Sequence, residues 1–241
     1  MRGFDYLQYQ QLRQKALESK NLDQEFLATF RKSITKVSLE ELKKIGDELL
    51  QLISSNPYIK QQDIQKATTL VFNGADLETK DNKGNTGLLL CTKNNLHDTF
   101  LLYVRAGANL NAQNNYATTA CMWSARKGHD TILYDLILLG ADINLQCSDG
   151  DNALISATRH NSYTSVKMLI EANAILNLQN NNGEEALSIA IAKGYTEIAK
   201  LISSALESSK RIEEQIQGCS SDEIQQGLQL AKERVKSLTK L

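Results

Sequence analysis

Residues 119–144 have the sequence TACMWSARKGHDTILYDLILLGADIN, in which two apolar stretches are each followed by a glycine. In the second stretch the apolar residues recur three and four positions apart, which is the spacing of one helical face. They include Leu133, Leu136 and Ile137. Gly128 and Gly140 follow the two stretches, and glycine most easily adopts the left-handed conformation that closes a helix. The segment therefore predicts two short helices.

The same pattern recurs at a step of 33 residues. Glycine or asparagine holds both closing positions in every copy. The first column is Asn95, Gly128, Asn161 and Gly194, and the second is Gly74, Gly107, Gly140 and Asn173. Helices this short cannot bury an apolar face alone, so the copies must be stabilised by stacking on one another.

The start of the first helix is marked in each copy by one further column, Thr86, Thr119, Asn152 and Glu185. Threonine and asparagine are favourable N-cap residues, whereas glutamate is not. We therefore expect the fourth copy to begin less sharply than the other three.

On these residues the chain resembles the ankyrin repeat family. The resemblance covers residues 81–206 as four copies, with a partial copy before them, and implies an all-α ankyrin-repeat solenoid. The proline of the family's Thr-Pro-Leu-His start is replaced in every copy, so we expect a less rigid array. The replacements are Gly87, Ala120, Ala153 and Ala186.

The flanking regions do not share the period, and they divide the chain further. We predict an N-terminal helical segment at 1–55, a partial N-capping repeat at 56–80 and C-terminal capping helices at 207–241. Capping segments would cover the exposed ends of a solenoid.

Composition argues against several classes of function. The 27 Lys and Arg residues are balanced by 28 Asp and Glu residues, so the positive charge that nucleic acid requires is missing. No apolar run approaches the roughly 20 residues of a membrane span, and the N-terminus lacks the apolar core of a secretory signal. We expect a cytoplasmic protein.

The sequence also lacks motifs that indicate metal binding, phosphate binding or catalysis. The four cysteines lie far apart without a C-x-x-C pair, which suggests neither a zinc site nor a disulfide framework. The glycines do not form a phosphate loop, and no partner recurs beside the three histidines at triad spacing. We expect His129 to make a structural hydrogen bond and His97 to be exposed. No catalytic residue, metal or cofactor is predicted.

The resemblance implies that hairpin tips and the outward edges of the first helices line a concave groove that binds partners. Tyr116, Trp123, Arg126 and Lys127 are of the residue types that dominate binding hot spots. Trp123 has an alternative role in core packing, because Leu90 and Ile189 at the matching positions are apolar. The predicted partner-binding residues are Tyr116, Trp123, Arg126, Lys127, Lys83, Lys93, Asp149, Asp151, Arg159 and His160. Their charges favour an acidic or amphipathic peptide, or a folded protein surface, over the first three copies.

Two functions remain open. The first is a monomeric, non-enzymatic module that binds a protein partner through the groove. The alternative is an enzyme with its activity in the N-terminal helices and the repeats as substrate-recognition module.

The chain also carries 19 Lys against 8 Arg, with 19 Asn and 17 Gln, a bias typical of AT-rich genomes such as those of intracellular bacteria. In such a bacterium an ankyrin repeat protein would resemble the effectors delivered into host cytoplasm by type IV secretion. The acidic, late-hydrophobic C-terminus is similar to their tails, with a capping helix as its alternative role.

Overall fold

The computed structural model describes residues 39–54, 66–67, 70–71 and 75–217. The predictions for residues 1–38 and 218–241, and for most of 56–74, lie outside the described residues. The first described helix is α1 (Leu39–Ser54). Its Leu49 and Ile53 are fully buried in the same hydrophobic core as the repeats.

Four helix pairs follow α1, one pair for each 33-residue copy. We number the copies as repeat 1 (81–113), repeat 2 (114–146), repeat 3 (147–179) and repeat 4 (180–206). The first helices are α2 (Gly87–Lys93), α4 (Ala120–Lys127), α6 (Ala153–Arg159) and α8 (Ala186–Ala192). The second helices are α3 (His97–Arg105), α5 (Asp130–Leu138), α7 (Tyr163–Glu171) and α9 (Thr196–Gln217). Within the described ranges the only β-pairing is one isolated bridge, Lys80–Thr86, which confirms the all-α prediction.

Polar side chains fix the starts of the first helices in repeats 2 and 3. Thr119 Oγ1 accepts a hydrogen bond from the Met122 N–H at 3.3 Å, and Asn152 Oδ1 accepts one from the Ile155 N–H at 2.9 Å. Both are N-cap bonds that satisfy an otherwise unpaired donor of the first turn. Two residues of the predicted column therefore cap their helices as expected. The prediction is wrong for Thr86, whose side chain makes no cap hydrogen bond to α2.

The expectation of a less sharp start in repeat 4 is wrong. Helix α8 begins at Ala186, the residue that matches the first residue of α4 and α6. The Ser188 hydroxyl accepts a hydrogen bond from the Glu185 N–H at 3.0 Å and donates one to the Glu185 carbonyl at 2.8 Å. Glu185 and Ser188 thus form a capping box, which fixes the start of this helix.

The closing positions from Asn95 onward have the predicted left-handed conformation, with φ from 56° at Asn95 to 87° at Gly107. Gly74 lies outside the described residues. A further column with positive φ lies at the hairpin tips and was overlooked in the sequence. It consists of Gly84, Ala117, Gly150 and Gly183. Ala117, at φ 54°, is the exception in a glycine column, and left-handed backbone is unfavourable for a residue with a Cβ.

Neighbouring repeats are joined by hydrogen bonds as well as by apolar packing. Each tip from repeat 2 onward donates a backbone N–H to the preceding tip. These bonds run from Asn115 to Lys83 O at 3.0 Å, from Ser148 to Tyr116 O at 2.9 Å and from Asn181 to Asp149 O at 3.1 Å. In repeats 1 and 2, Asn111 Oδ1 accepts from the Asp142 N–H and Asn144 Oδ1 accepts from the Ile175 N–H. The asparagine at this position therefore connects repeat 1 to repeat 2 and repeat 2 to repeat 3.

Repeat 4 has an uncovered apolar residue. Ile191 is 65% exposed, whereas the side chains at the matching positions of repeats 1–3 are fully buried. Those side chains are Thr92, Ala125 and Thr158. Helix α9 is also longer than the other second helices, with 22 residues against 9.

Candidate partner-binding groove

The hairpin tips of repeats 2–4 and the first helices of repeats 2 and 3 line a cavity of about 420 Å³. Six of the ten predicted partner-binding residues line it: Tyr116, Arg126, Asp149, Asp151, Arg159 and His160. Tyr116 is 61% exposed at its rim. Residues 33 positions apart in sequence thus lie side by side, because equivalent positions of stacked repeats form columns.

A second cavity, also of about 420 Å³, lies over repeat 1. Lys83 and Lys93 line it together with Asp81. Burial raises the pKa of the Asp81 carboxyl, but hydrogen bonds from Asn85 and from the Lys83 backbone outweigh burial and hold the pKa below its usual value. The carboxylate therefore accepts hydrogen bonds within its own hairpin.

Trp123 lies between the two cavities. Its ring is 5.3 Å from Lys93 Nζ and 5.6 Å from Arg126 Cζ, measured to the ring centroid, which is within the range of cation–π attraction. The side chain is half-buried and packs against the hydrophobic core, and its Nε1 is buried without a hydrogen-bond partner. Trp123 therefore combines the packing role and the surface role that the sequence left open.

Arg159 is engaged by its own repeats. Its Nε lies 2.7 Å from Asp151 Oδ2, and its Nη2 lies 2.7 Å from Glu184 Oε2. The Asn180 amide and Arg159 both bond to Glu184 and lower the pKa of its carboxyl. Asp151 and Arg159, two of the predicted site residues, thus form one charged network with Glu184 between repeats 3 and 4. The sequence did not predict this pairing.

Arg126 contacts a histidine rather than a carboxylate. Its Nε donates to His160 Nε2 at 3.2 Å. Because arginine only donates, His160 Nε2 must be the acceptor, so the proton lies on Nδ1, which donates to the Ser156 carbonyl at 3.0 Å. His160 is therefore neutral in this arrangement and does not cancel the charge of Arg126.

The remaining predicted site residue, Lys127, is exposed at the end of α4 and lines neither cavity.

The other two histidines form contacts between repeats 1 and 2. His129 Nε2 lies 3.4 Å from the Lys93 carbonyl, in agreement with the predicted structural hydrogen bond. The prediction that His97 is exposed is wrong, because its side chain is half-buried and its Nε2 lies 2.7 Å from Asp135 Oδ2. Asp135 is 38 residues away in sequence, which is why the pair could not be recognised from local spacing.

Reactive groups are scarce in the described part of the chain. Burial raises the pKa of the Cys121 thiol to about 12 and raises the pKa of the Cys91 thiol further. Over the described ranges, no three His, Cys, Asp or Glu side chains are grouped so that they could hold a metal ion. A search of the same residues finds no helix with the length and apolar character of a membrane span. Of the N-terminal segment proposed as an alternative enzymatic region, the structure describes only α1.

Comparison with known proteins agrees with this architecture. A family model described as ankyrin repeats, in three copies, matches residues 122–213. No curated protein matches the sequence. Among solved structures, the chain is similar to an ankyrin repeat domain from Acinetobacter baumannii AYE, with 30% identity and a TM-score of 0.57. That match covers 59% of this chain and 76% of the other.

Because 475 chains of solved structures match, the fold is shared too widely to identify a partner by itself. It does identify the architecture, since sequence, family model and structure agree over the stacked helix pairs. The chain belongs to the ankyrin repeat family.

Proposed function

We propose that this protein is a non-enzymatic module that binds a protein partner, as a monomer, through the concave groove formed by its hairpin tips and first helices. Ankyrin repeats are general protein–protein interaction modules. Six of the residues predicted to bind a partner line the cavity over repeats 2–4.

The observation that carries the proposal is the exposure of the Tyr116 side chain. This tyrosine is 61% exposed beside the cavity, although tyrosine usually buries much of its ring. It also precedes Ala117, the residue held in an unfavourable left-handed conformation, and such strain is concentrated at functional sites. An exposed aromatic residue on a strained tip is what a partner-binding anchor requires.

The test is a comparison of wild-type and Tyr116→Ala protein in an affinity pull-down from cell lysate, with Tyr163→Ala as the matched control. Tyr163 is likewise exposed, at 45%, but lies on the second helix α7. We expect Tyr116→Ala to lose a captured protein that wild type and Tyr163→Ala retain, with a loss of roughly 2 kcal/mol in binding free energy. Equal capture by all three proteins would contradict the proposal.

A host-directed role is the finer part of the proposal. The support is the Lys-, Asn- and Gln-rich composition and the acidic C-terminal region, together with the similarity to an ankyrin domain of a bacterium. The tail at 222–241 lies outside the described residues. Deletion of these residues should abolish delivery into host cells if they act as a secretion signal, and undiminished delivery would remove that role.

A further inference from the structure

We propose that the groove over repeats 1 and 2 binds an acidic segment of the partner, with a carboxylate held between Lys93 and Arg126 beside the Trp123 ring. The inference rests on the proposed function and adds the chemistry of the partner. It follows from the way the positive charges of this surface are left unpaired.

We define the cationic strip as Lys83, Lys93, Arg126 and Lys127. Within the described part of the chain, no carboxylate oxygen lies within 4.0 Å of a side-chain nitrogen of the strip. The negative charge of Asp81 lies near Lys83 and interacts with it, so the Lys83 charge is partly offset. The uncompensated positive charge of the strip is therefore that of Lys93, Arg126 and Lys127.

The contrast with Arg159 shows that this lack of pairing is specific to the strip. Lys93, Arg126 and Arg159 occupy the same position in three successive repeats. Arg159 is bonded to two carboxylates, whereas Arg126 bonds to the neutral His160 ring. Two of three equivalent cations are thus left available for an acidic group from outside.

Trp123 strengthens the site. Its ring holds both cations within 5.6 Å of its centroid and excludes water from one side of them. A carboxylate attracts a cation more strongly where water is partly excluded, because the effective dielectric constant is lower there. The ring also offers an apolar surface to a residue next to the acidic one, so a segment with alternating acidic and apolar side chains fits the strip best.

The opposite end of the groove confines such a segment to repeats 1 and 2. Asp149, Asp151 and Glu184 lie over repeats 3 and 4, and Arg159 offsets only part of their charge. A second acidic stretch would be repelled there. The sign of the charge changes along the groove near Tyr116, and this fixes the direction in which the segment lies.

The first experiment measures the charge without any partner. Trp123 is the only tryptophan of the chain, so its fluorescence reports on the strip directly. We expect the ratio of iodide to caesium quenching to be at least about threefold higher for Trp123 than for N-acetyltryptophanamide, a neutral reference with the same indole, since a positive surface concentrates anions. The variant Lys93→Gln/Arg126→Gln should lose this preference, whereas Lys167→Gln, on α7 and paired with Glu171, should keep it. A wild-type quenching ratio equal to that of the neutral reference, or a raised ratio that survives in the double variant, would overturn the inference.

The second experiment uses a short peptide of alternating Glu and Leu as the probe, with a peptide of alternating Lys and Leu as its control. We expect the acidic peptide to change Trp123 fluorescence on binding, with affinity that falls as salt is added. Its affinity should drop by about tenfold or more in Lys93→Gln/Arg126→Gln and stay unchanged in Lys167→Gln. Binding of both peptides alike, or of neither, would contradict an acidic ligand.

Failure of this inference can be separated from failure of the proposed function. Loss of partner capture in Tyr116→Ala, together with a quenching ratio equal to that of the neutral reference, would leave a groove that binds a partner of different charge.

Discussion

Gly87 and Tyr103 occupy one space between the two helices of repeat 1. A Cβ added to Gly87 would overlap the hydroxyl and ring of Tyr103, a side chain that is only 1% exposed. In repeats 2–4 the first position is alanine and the second is a smaller aliphatic residue. Repeat 1 therefore has glycine at this position because the larger Tyr103 side chain fills the space that the alanine side chain takes in repeats 2–4.

Gly87→Ala should destabilise the protein by about 1–3 kcal/mol, because overpacking a filled core forces side chains and backbone to move. Tyr103→Leu alone should also be destabilising, since it leaves a cavity. The double variant should recover at least about 1 kcal/mol relative to the sum of the two changes. Urea unfolding of the four proteins measures this coupling, and strictly additive losses would show that the two side chains do not compete for space.

Ala117→Gly should stabilise the protein by about 0.5–1 kcal/mol. The change relieves a left-handed alanine, although glycine gives back part of the gain through the entropy of the unfolded chain. Gly183→Ala, at the matching tip of repeat 4 with φ 73°, serves as the reciprocal control and should be destabilising. Unfolding by urea reports both, and a less stable Ala117→Gly would mean that the Ala117 methyl group has a packing role that outweighs the strain.

Because of the network around Glu184, part of the free energy of unfolding should depend on pH. The Asn180 amide and Arg159 lower the pKa of the Glu184 carboxyl below its reference value of 4.5. A folded-state pKa below the unfolded one means that this stabilisation is complete above about pH 4.5 and is lost as the pH falls through the lowered value.

Glu184→Gln should therefore be less stable than wild type at pH 7, with a difference that shrinks as the pH is lowered past 4.5. Denaturant unfolding between neutral and acidic pH measures the difference. Glu171→Gln, which removes an exposed pair with Lys167, should have little effect. A gap between wild type and Glu184→Gln that does not change with pH would contradict the ionic role of Glu184.

The cysteines of the described residues should differ in thiol reactivity according to how deeply they are buried. Cys91 and Cys121 are buried and their raised pKa values keep them protonated at pH 8, so native protein should resist alkylation at both. Cys147 is half-buried and lines the cavity over repeats 2–4, and it should react with iodoacetamide under the same conditions. Peptide mapping identifies the labelled sites, with denatured protein as the control. Modification of Cys91 or Cys121 before denaturation would show that the first helices open readily.

The features best predicted from the sequence are those for which similar residue types recur at the same position of each repeat. The left-handed closing positions and the caps at Thr119 and Asn152 were predictable because each depends on the local backbone. The tip column was equally visible in the sequence, and Ala117 could have been recognised as its exception.

The pairing within the groove could not be predicted in the same way. Asp151 lies 8 residues from Arg159 and Glu184 lies 25 residues away, so their contact depends on how the repeats are set against each other. The half-buried position of Trp123 had the same origin, because it depends on side chains of two neighbouring repeats.

The hydrogen bonds between tips join residues of adjacent repeats, such as Asn115 with Lys83 and Asn181 with Asp149. An array whose contacts reach only to the next unit can nucleate at any point and grow outwards, and it frays from its ends. Repeats 2 and 3 each have a repeat on both sides, so we expect their hairpins to keep their shape while the ends of the array open. Amide hydrogen exchange should accordingly be slowest around α4 and α6 and faster in repeat 4.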